Sequence, residues 1–531
     1  MRYGEKIKKG IYQLTILNCC LYYHFMNKQL RAKLRDFDRK LLEQDKRAME
    51  LAWKDLHGEE GAGRQYEEAL ARRSDFIRQS RYPELVETHI GISNPRDARE
   101  LKLRSNALIV DAITSHPAAR DTLAEAGGVQ RNFIVKVGGK ELGEGGVMRV
   151  LNKCEDRATR EAVWGAMEQS LELAPLKQKV VSSLNEASQA LASKKSFIEV
   201  VLGAQDSDPI SLTRLILHFE ASTRCARDSF MEDVRAFSGL SKLEPWDVQF
   251  YIAKYLSSIR GDFLPKEGAS ALALFKRTVG LMGFAGVHGR KYLDPESIGK
   301  PPFIFDVKDG EGYASAECSI WAGPGSREFM VFINPERSPT GFDLTRTVFL
   351  EGGHILHYQA LERLRSRAAF KYDSDCMRHA LAMLFDSITE DAKWLHDIAG
   401  LKTKEAERLS ALLKMKKTHM ARRLAADALF ETHLYEPERL CEGDLFRKVQ
   451  ENFSGEKLNY DVEKRWAWHP GLVEYPAGQL SYHLGYLIYE AIAKDMRSEL
   501  GGSIVHPRAA ELLVDKYYTG YEKPWKERVH F

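Results

Sequence analysis

From Met26 to about Gly203, apolar residues recur at intervals of three and four. The pattern pauses only at short stretches, His57–Gly63, Gly91–Pro95, Gly127–Gly128 and Gly138–Gly146. That period puts one stripe of each segment on a common core, so the chain is constrained to packed helices. A second helical block runs from about Asp208 to Gly289, with Pro245 opening one helix where a missing N–H costs nothing. The texture then changes. Phe303–Val307, Gly312–Trp321 and Glu328–Asn334 carry β-branched and aromatic residues, separated by Asp309-Gly310 and Gly323–Gly325. This predicts a small antiparallel sheet at 303–334. Helical patterning resumes near Asp343, with interruptions at Tyr435–Pro437 and His469–Pro476. The expected fold class is mostly α with one small antiparallel β-sheet near the centre.

The balance of charge narrows the partners. Seventy-eight basic and 75 acidic residues leave a net charge of +3, whereas a nucleic-acid or membrane-surface binder would carry a clustered basic excess. No nucleic-acid partner is expected. The seven cysteines are scattered, odd in number and without a C-x-x-C pair. Neither a disulfide framework nor a cysteine zinc site is indicated, and a cytoplasmic location fits. Residues 1–25 resemble a signal peptide in outline, with Lys6, Lys8 and Lys9 before Ile11–Phe25. They lack a small-x-small cleavage site, and Gln13, Asn18 and His24 interrupt the apolar run. The run is also too short for a comfortable membrane span. Met26 then opens the amphipathic pattern Leu30–Leu34–Phe37–Leu41–Leu42. Residues 1–25 therefore read as an upstream extension or mis-called start, with a short membrane anchor as the alternative, and no membrane span is expected.

Directly after the last strand comes Thr347-Val348-Phe349-Leu350-Glu351-Gly352-Gly353-His354-Ile355-Leu356-His357. It resembles the active-site helix of the thimet oligopeptidase and oligopeptidase F family of gluzincin zinc metallopeptidases, T-L-F-H-E-F-G-H-A-L-H, and is similar also to the angiotensin-converting-enzyme family. In that pattern two histidines at i and i+4 hold zinc, and the glutamate between them is the general base. The resemblance makes Glu351 the base and His354 the second ligand. Leu350 stands where the first ligand belongs, and leucine cannot bind a metal. Two mid-helix glycines cost roughly 1 kcal/mol each relative to alanine, which points to close backbone packing there. The family's third ligand lies on the next helix, and the register ending in Trp394-Leu395-His396 puts that position on His379, with Asp386 or Glu390 as alternatives. His357 reads as a structural histidine.

Further resemblances cover roughly residues 210–500. Pro245-Trp246-Asp247 with Phe250-Tyr251 and Lys254 looks like the family's W-D-x-x-Y-Y-x-x-K helix. Tyr313–Trp321 and Phe329–Asn334 resemble its edge hairpin, which adds a substrate backbone by β-pairing; this makes Phe329, Val331 and Ile333 candidate substrate-binding residues. Tyr475–Leu487 is similar to a tyrosine-rich stretch whose side chains stabilise the oxyanion. One register promotes Tyr486 and places His483 and Gln479 beside it; the other promotes Tyr475 and Tyr482.

The resemblance implies a two-lobed form with a deep central cleft. Residues 26–207 would be a helical lid-type half and 208–531 a peptidase-like half. The leading expectation is a divergent member that binds peptides or peptide-like molecules in the cleft without ordinary zinc proteolysis. It would be either a pseudo-peptidase or a repurposed enzyme with Glu351, His354, His379 and cleft tyrosines as acid–base groups; the candidate catalytic residues are Glu351, Tyr482, Tyr486 and His483, and no tightly bound cofactor is expected. A competing expectation keeps one zinc or other divalent metal on Glu351, His354 and His379. A third is a structural or regulatory protein with a vestigial cleft.

Overall fold

The computed structural model describes residues 61–80, 95–260 (193 apart), 263–284, 341–362, 374–436, 443–455, 466, 475–520 and 523–529. It also describes three strands and parts of 32–59. The N-terminal extension 1–25 and the turns between the strands lie outside the described residues. No described helix is long and apolar enough to cross a membrane.

The first part of the chain forms α1 (Ala62–Gln79), α2 (Pro95–Thr114), α3 (Pro117–Arg131), a short hairpin, α4 (Glu144–Lys153), α5 (Arg157–Ala166), α6 (Ala174–Leu191) and α7 (Phe197–Ala204). Local signals set these ends. Ser196 and Glu199 make a reciprocal capping box at the start of α7. Asp156 accepts from Ala158 and Thr159 N–H to begin α5. The amphipathic run after Met26 is buried as expected, since Leu34, Phe37 and Leu41 share a small core with Ile77, Leu101 and Leu108.

Two expectations are corrected in this part. Gly127–Gly128 does not break a helix; α3 runs through both, because the surrounding residues keep the helical stripe. The pause at Gly138–Gly146 conceals an antiparallel hairpin, β1 (Val135–Val137) with β2 (Lys140–Leu142). Gly138 and Gly139 form its turn at φ +55° and +75°, a conformation that side chains resist.

The second part contains α8 (Pro209–Ser238), α9 (Pro245–Arg260), α10 (Gly268–Leu281), β3 (Phe303–Val307), β4 (Ala316–Ile320), β5 (Phe329–Ile333), α11 (Gly341–Glu362), α12 (Asp375–Asp386), α13 (Ala392–Asp397), α14 (Thr403–Leu434), α15 (Gly443–Ser454) and α16 (Gly478–Leu500). Asp208 caps α8 through Ser211 N–H, and Gly239 ends it in the left-handed conformation. The chain is mostly helical, as the periodicity predicts. β4 and β5 pair antiparallel as expected, but β5 lies between β3 and β4, and β3 runs parallel to it. Turn signals see only adjacent strands, so they miss this crossover.

The main apolar core extends from Ile109 to Val529 and so includes residues on both sides of position 207. One polar joint bridges the same two parts. Asp247, at the start of α9, accepts from Arg157 and Arg160 of α5 at 2.8 and 2.9 Å. The Arg160 guanidinium also lies 3.9 Å from the Phe250 ring centroid. Burial pushes the Asp247 carboxyl up, but the two arginines outweigh it and hold the pKa below its ordinary value.

Candidate active site: three helices around a histidine pair

α12 lies between α11 and α16, and glycines bring the three helices together. A Cβ at Gly353 would sit 3.0 Å from Ala382 Cα, and one at Gly485 would sit 2.8 Å from His379 Cβ. A Cβ at Gly352 would fall 2.3 Å from the Phe275 ring. These contacts are closer than real Cβ atoms tolerate, which is why the motif helix carries two glycines despite their cost.

This packing assembles four of the residues singled out in the sequence. Glu351 is 6 % exposed on α11. One turn on, the His354 ring stands edge-on to His379 of α12 at 6.1 Å between centroids. His379 in turn stacks on Tyr482 of α16 at 3.9 Å and 24°. Tyr482 is 40 % exposed and within electrostatic reach of Tyr475 and Glu351. Burial, then those two groups, raise its pKa. Burial and then neighbouring charge lower the pKa of both histidines, His379 to about 3, so both rings are neutral at physiological pH. His354 Nδ1 is buried and has no hydrogen-bond partner among the described residues.

His483 and Tyr486 are not part of this cluster, and their cleft-facing role is corrected. His483 is fully buried and packs edge-on to Phe219 at 5.4 Å, where burial holds its pKa near 3. Tyr486 also packs edge-on to Phe219, at 5.7 Å, and is 6 % exposed. Both belong to the stripe of α16 that faces the core, along with Leu480, Leu484 and Leu487. Tyr482 precedes His483 by one residue, about 100° around the helix, and so escapes that stripe. The exposed tyrosines Tyr475 and Tyr482 are therefore those of the second register. His357 packs against Tyr518 at 5.4 Å and is buried, which suits a structural histidine.

The alternative third-ligand positions are committed elsewhere. Asp386 takes a two-pronged contact from Arg346 at 2.7 and 2.8 Å, and Lys417 reaches it at 3.4 Å. Lys417 also pairs with Glu390 at 3.3 Å and lies 4.4 Å from the Tyr489 ring centroid. Burial would raise the Asp386 carboxyl, but Arg346 and Lys417 overcome it and hold the pKa near 2. Burial prevails at Glu390, whose pKa is raised. This cluster fastens α11, α12 and α14 beneath the site.

The zinc implied by the motif does not fit these residues. Leu350 offers no donor, and the His379 ring is held face-on against Tyr482. Among the described residues no three His, Cys, Asp or Glu side chains converge as a metal-holding group. The substrate-strand reading shifts as well. β5, which carries Phe329, Val331 and Ile333, is paired on both sides, and β4 is the sheet's edge strand that lies against α11.

Sequence spacing gave no sign of Glu431. It is buried on α14 and accepts the Ala477 N–H at 2.7 Å, capping α16 from another helix. Ala477 holds φ +64°, so the turn into α16 is tight. Burial raises the Glu431 pKa to about 8 despite backbone N–H groups from 477, 479 and 480.

No protein-family profile matches the chain, and no curated protein matches it. Solved structures do. A protein assigned as an oligoendopeptidase F superposes with a TM-score of 0.61 at 14 % identity, covering 94 % of this chain and 92 % of its own. PZ peptidase A, solved with an inhibitor, gives 0.60 at 14 % identity over 94 % and 92 %. A Bacillus anthracis protein also assigned as an oligoendopeptidase F gives 0.55 at 12 % over 92 % and 91 %. At such identities the likeness concerns the backbone alone. Over nearly its whole length, the chain has the oligoendopeptidase F fold.

Proposed function

We propose that this protein binds peptides or peptide-like molecules in a cleft at Glu351, His379, Tyr475 and Tyr482, and that zinc proteolysis is not its activity. One observation carries the reading: Glu351 and Tyr482 remain assembled around a two-histidine pair, while a leucine stands at the first metal position. The peptidases that share the fold support the choice of ligand class. The groups also suit a peptide backbone. Tyr482 donates through its hydroxyl, Glu351 accepts an N–H, and each neutral histidine offers one donor and one acceptor nitrogen. The edge of β4 that pairs with no other described strand supplies a template for backbone pairing, which recognises extended peptides with little regard to sequence.

The test is anisotropy titration of fluorescent random-sequence short peptides with the full chain, with and without EDTA, followed by mass spectrometry of the peptides. The expected result is saturable binding that EDTA does not change, intact peptides, and weaker binding by Tyr482→Ala. Cleavage abolished by EDTA would restore a metal enzyme. Cleavage that survives EDTA would identify a repurposed acid–base catalyst. Absence of binding would leave a structural role for the fold.

A further inference from the structure

A cavity of about 240 Å³ lies where α1, α2 and the end of α7 meet the start of α12. It is separate from the surface occupied by Glu351 and Tyr475. One wall is apolar. Leu103, Ala107 and Val110 line it from a single face of α2, and Val201 and Ala204 complete it from α7. An apolar cavity of about 150 Å³ holds a benzene molecule, so this one has room for a ring or branched chain with a polar head.

An ion pair stands at each of two sides of the cavity, with one carboxylate oxygen on the first and one guanidinium on the second within reach of an occupant. On the first, Arg73 is clamped between Asp45 at 2.5 Å and Asp111 at 2.8 Å. Asp111 gives Oδ2 to that contact, and its Oδ1 has no hydrogen bond among the described residues. On the second, Arg378 pairs with Asp375, whose carboxylate is 47 % exposed, and approaches the Tyr358 hydroxyl at 3.5 Å. A carboxylate on an incoming molecule can replace Asp375 at Arg378, because Asp375 is half exposed to water and the hydrogen bond it also accepts from Gln205 Nε2 is a long one, 3.3 Å.

We propose that this cavity binds an α-amino acid with an apolar side chain. The side chain lies against Leu103, Val110 and Val201, the ammonium meets Asp111, and the carboxylate meets Arg378. This goes beyond the peptide-cleft reading and does not depend on it. The two sites adjoin through Arg378, which precedes His379 and whose charge acts on both His354 and His379.

Calorimetric titration of the full chain with L-leucine and L-phenylalanine tests this. The expected result is one site per chain, with L-leucinamide and N-acetyl-L-leucine each about tenfold weaker or more, as loss of a charged hydrogen bond implies. Arg378→Gln should weaken L-leucine to the level of leucinamide and leave leucinamide unchanged. Ala107→Phe fills the cavity and should abolish binding with its melting transition retained; Ala204→Leu serves if that variant does not fold. No saturable heat from either amino acid at millimolar concentration overturns the proposal, as does leucinamide binding as tightly as leucine. Peptide binding at Tyr482 is read separately by anisotropy, so failure of one reading is distinguishable from failure of the other.

Discussion

Leu350 is one turn before His354 on α11, so a histidine there projects onto the same helix face. Combined with His379→Glu, Leu350→His should rebuild the two-histidine, one-glutamate set and give stoichiometric zinc in a calorimetric titration. A folded double variant that ignores zinc would show that α11 and α12 do not hold the ligand geometry that the motif implies. The neighbouring glycine yields a packing prediction. In Gly353→Ala the new methyl meets Ala382 backbone, which cannot swing aside, so urea unfolding should show a loss of about 1–3 kcal/mol, the usual cost of overpacking. At this scale much was legible. Glu351 and His354 came from a motif whose residues are neighbours in sequence, His379 came from the register of the next helix, and the glycines announced close approach. The tyrosine register was not legible, because Tyr482 and His483 differ only in which side of α16 the rest of the molecule buries.

The entry to α16 depends on a carboxyl from α14. Glu431 has a folded pKa of about 8 against an ordinary 4.5. Between those values the folded chain holds a proton that the unfolded chain has released. Stability from this group is thus complete below about pH 4.5 and falls as pH rises to 8, by up to roughly 1 kcal/mol per unit. Glu431→Gln keeps an acceptor for Ala477 N–H and cannot ionise, so its melting temperature should decline less across that window than the wild type's. An unchanged pH profile would mean that the carboxyl is not the titrating group. The ion cluster fastening α11, α12 and α14 makes a second prediction. Lys417→Met leaves Asp386 and Glu390 buried with Arg346 as their one countercharge among the described residues, and should cost about 3–5 kcal/mol in chemical denaturation. Neither device could be read from spacing. Glu431 and Ala477 are 46 residues apart, and Lys417 lies 31 residues from Asp386.

On the scale of the whole chain, helical periodicity revealed the fold class, because an amphipathic stripe records that a face is buried. It does not record against which partner. The sheet order and the Arg160–Asp247 joint stayed hidden for that reason, the latter spanning 87 residues. Since the core continues past position 207, Arg160→Met should lower the melting temperature of the entire chain within one transition, which scanning calorimetry would show; separate melting of the first 207 residues would contradict a shared core. The same continuity gives Cys376 an unplanned use. Its thiol is fully buried at the first turn of α12, and its backbone N–H is held by Gln205 at 3.0 Å, across the division at 207. Cys225 is exposed. Maleimide added to the native chain will tag Cys225 at once, whereas Cys376 must wait until the first part of the chain lifts away from α12. The delay between the two tags, followed peptide by peptide in a mass spectrometer, is a stopwatch for the opening of the molecule.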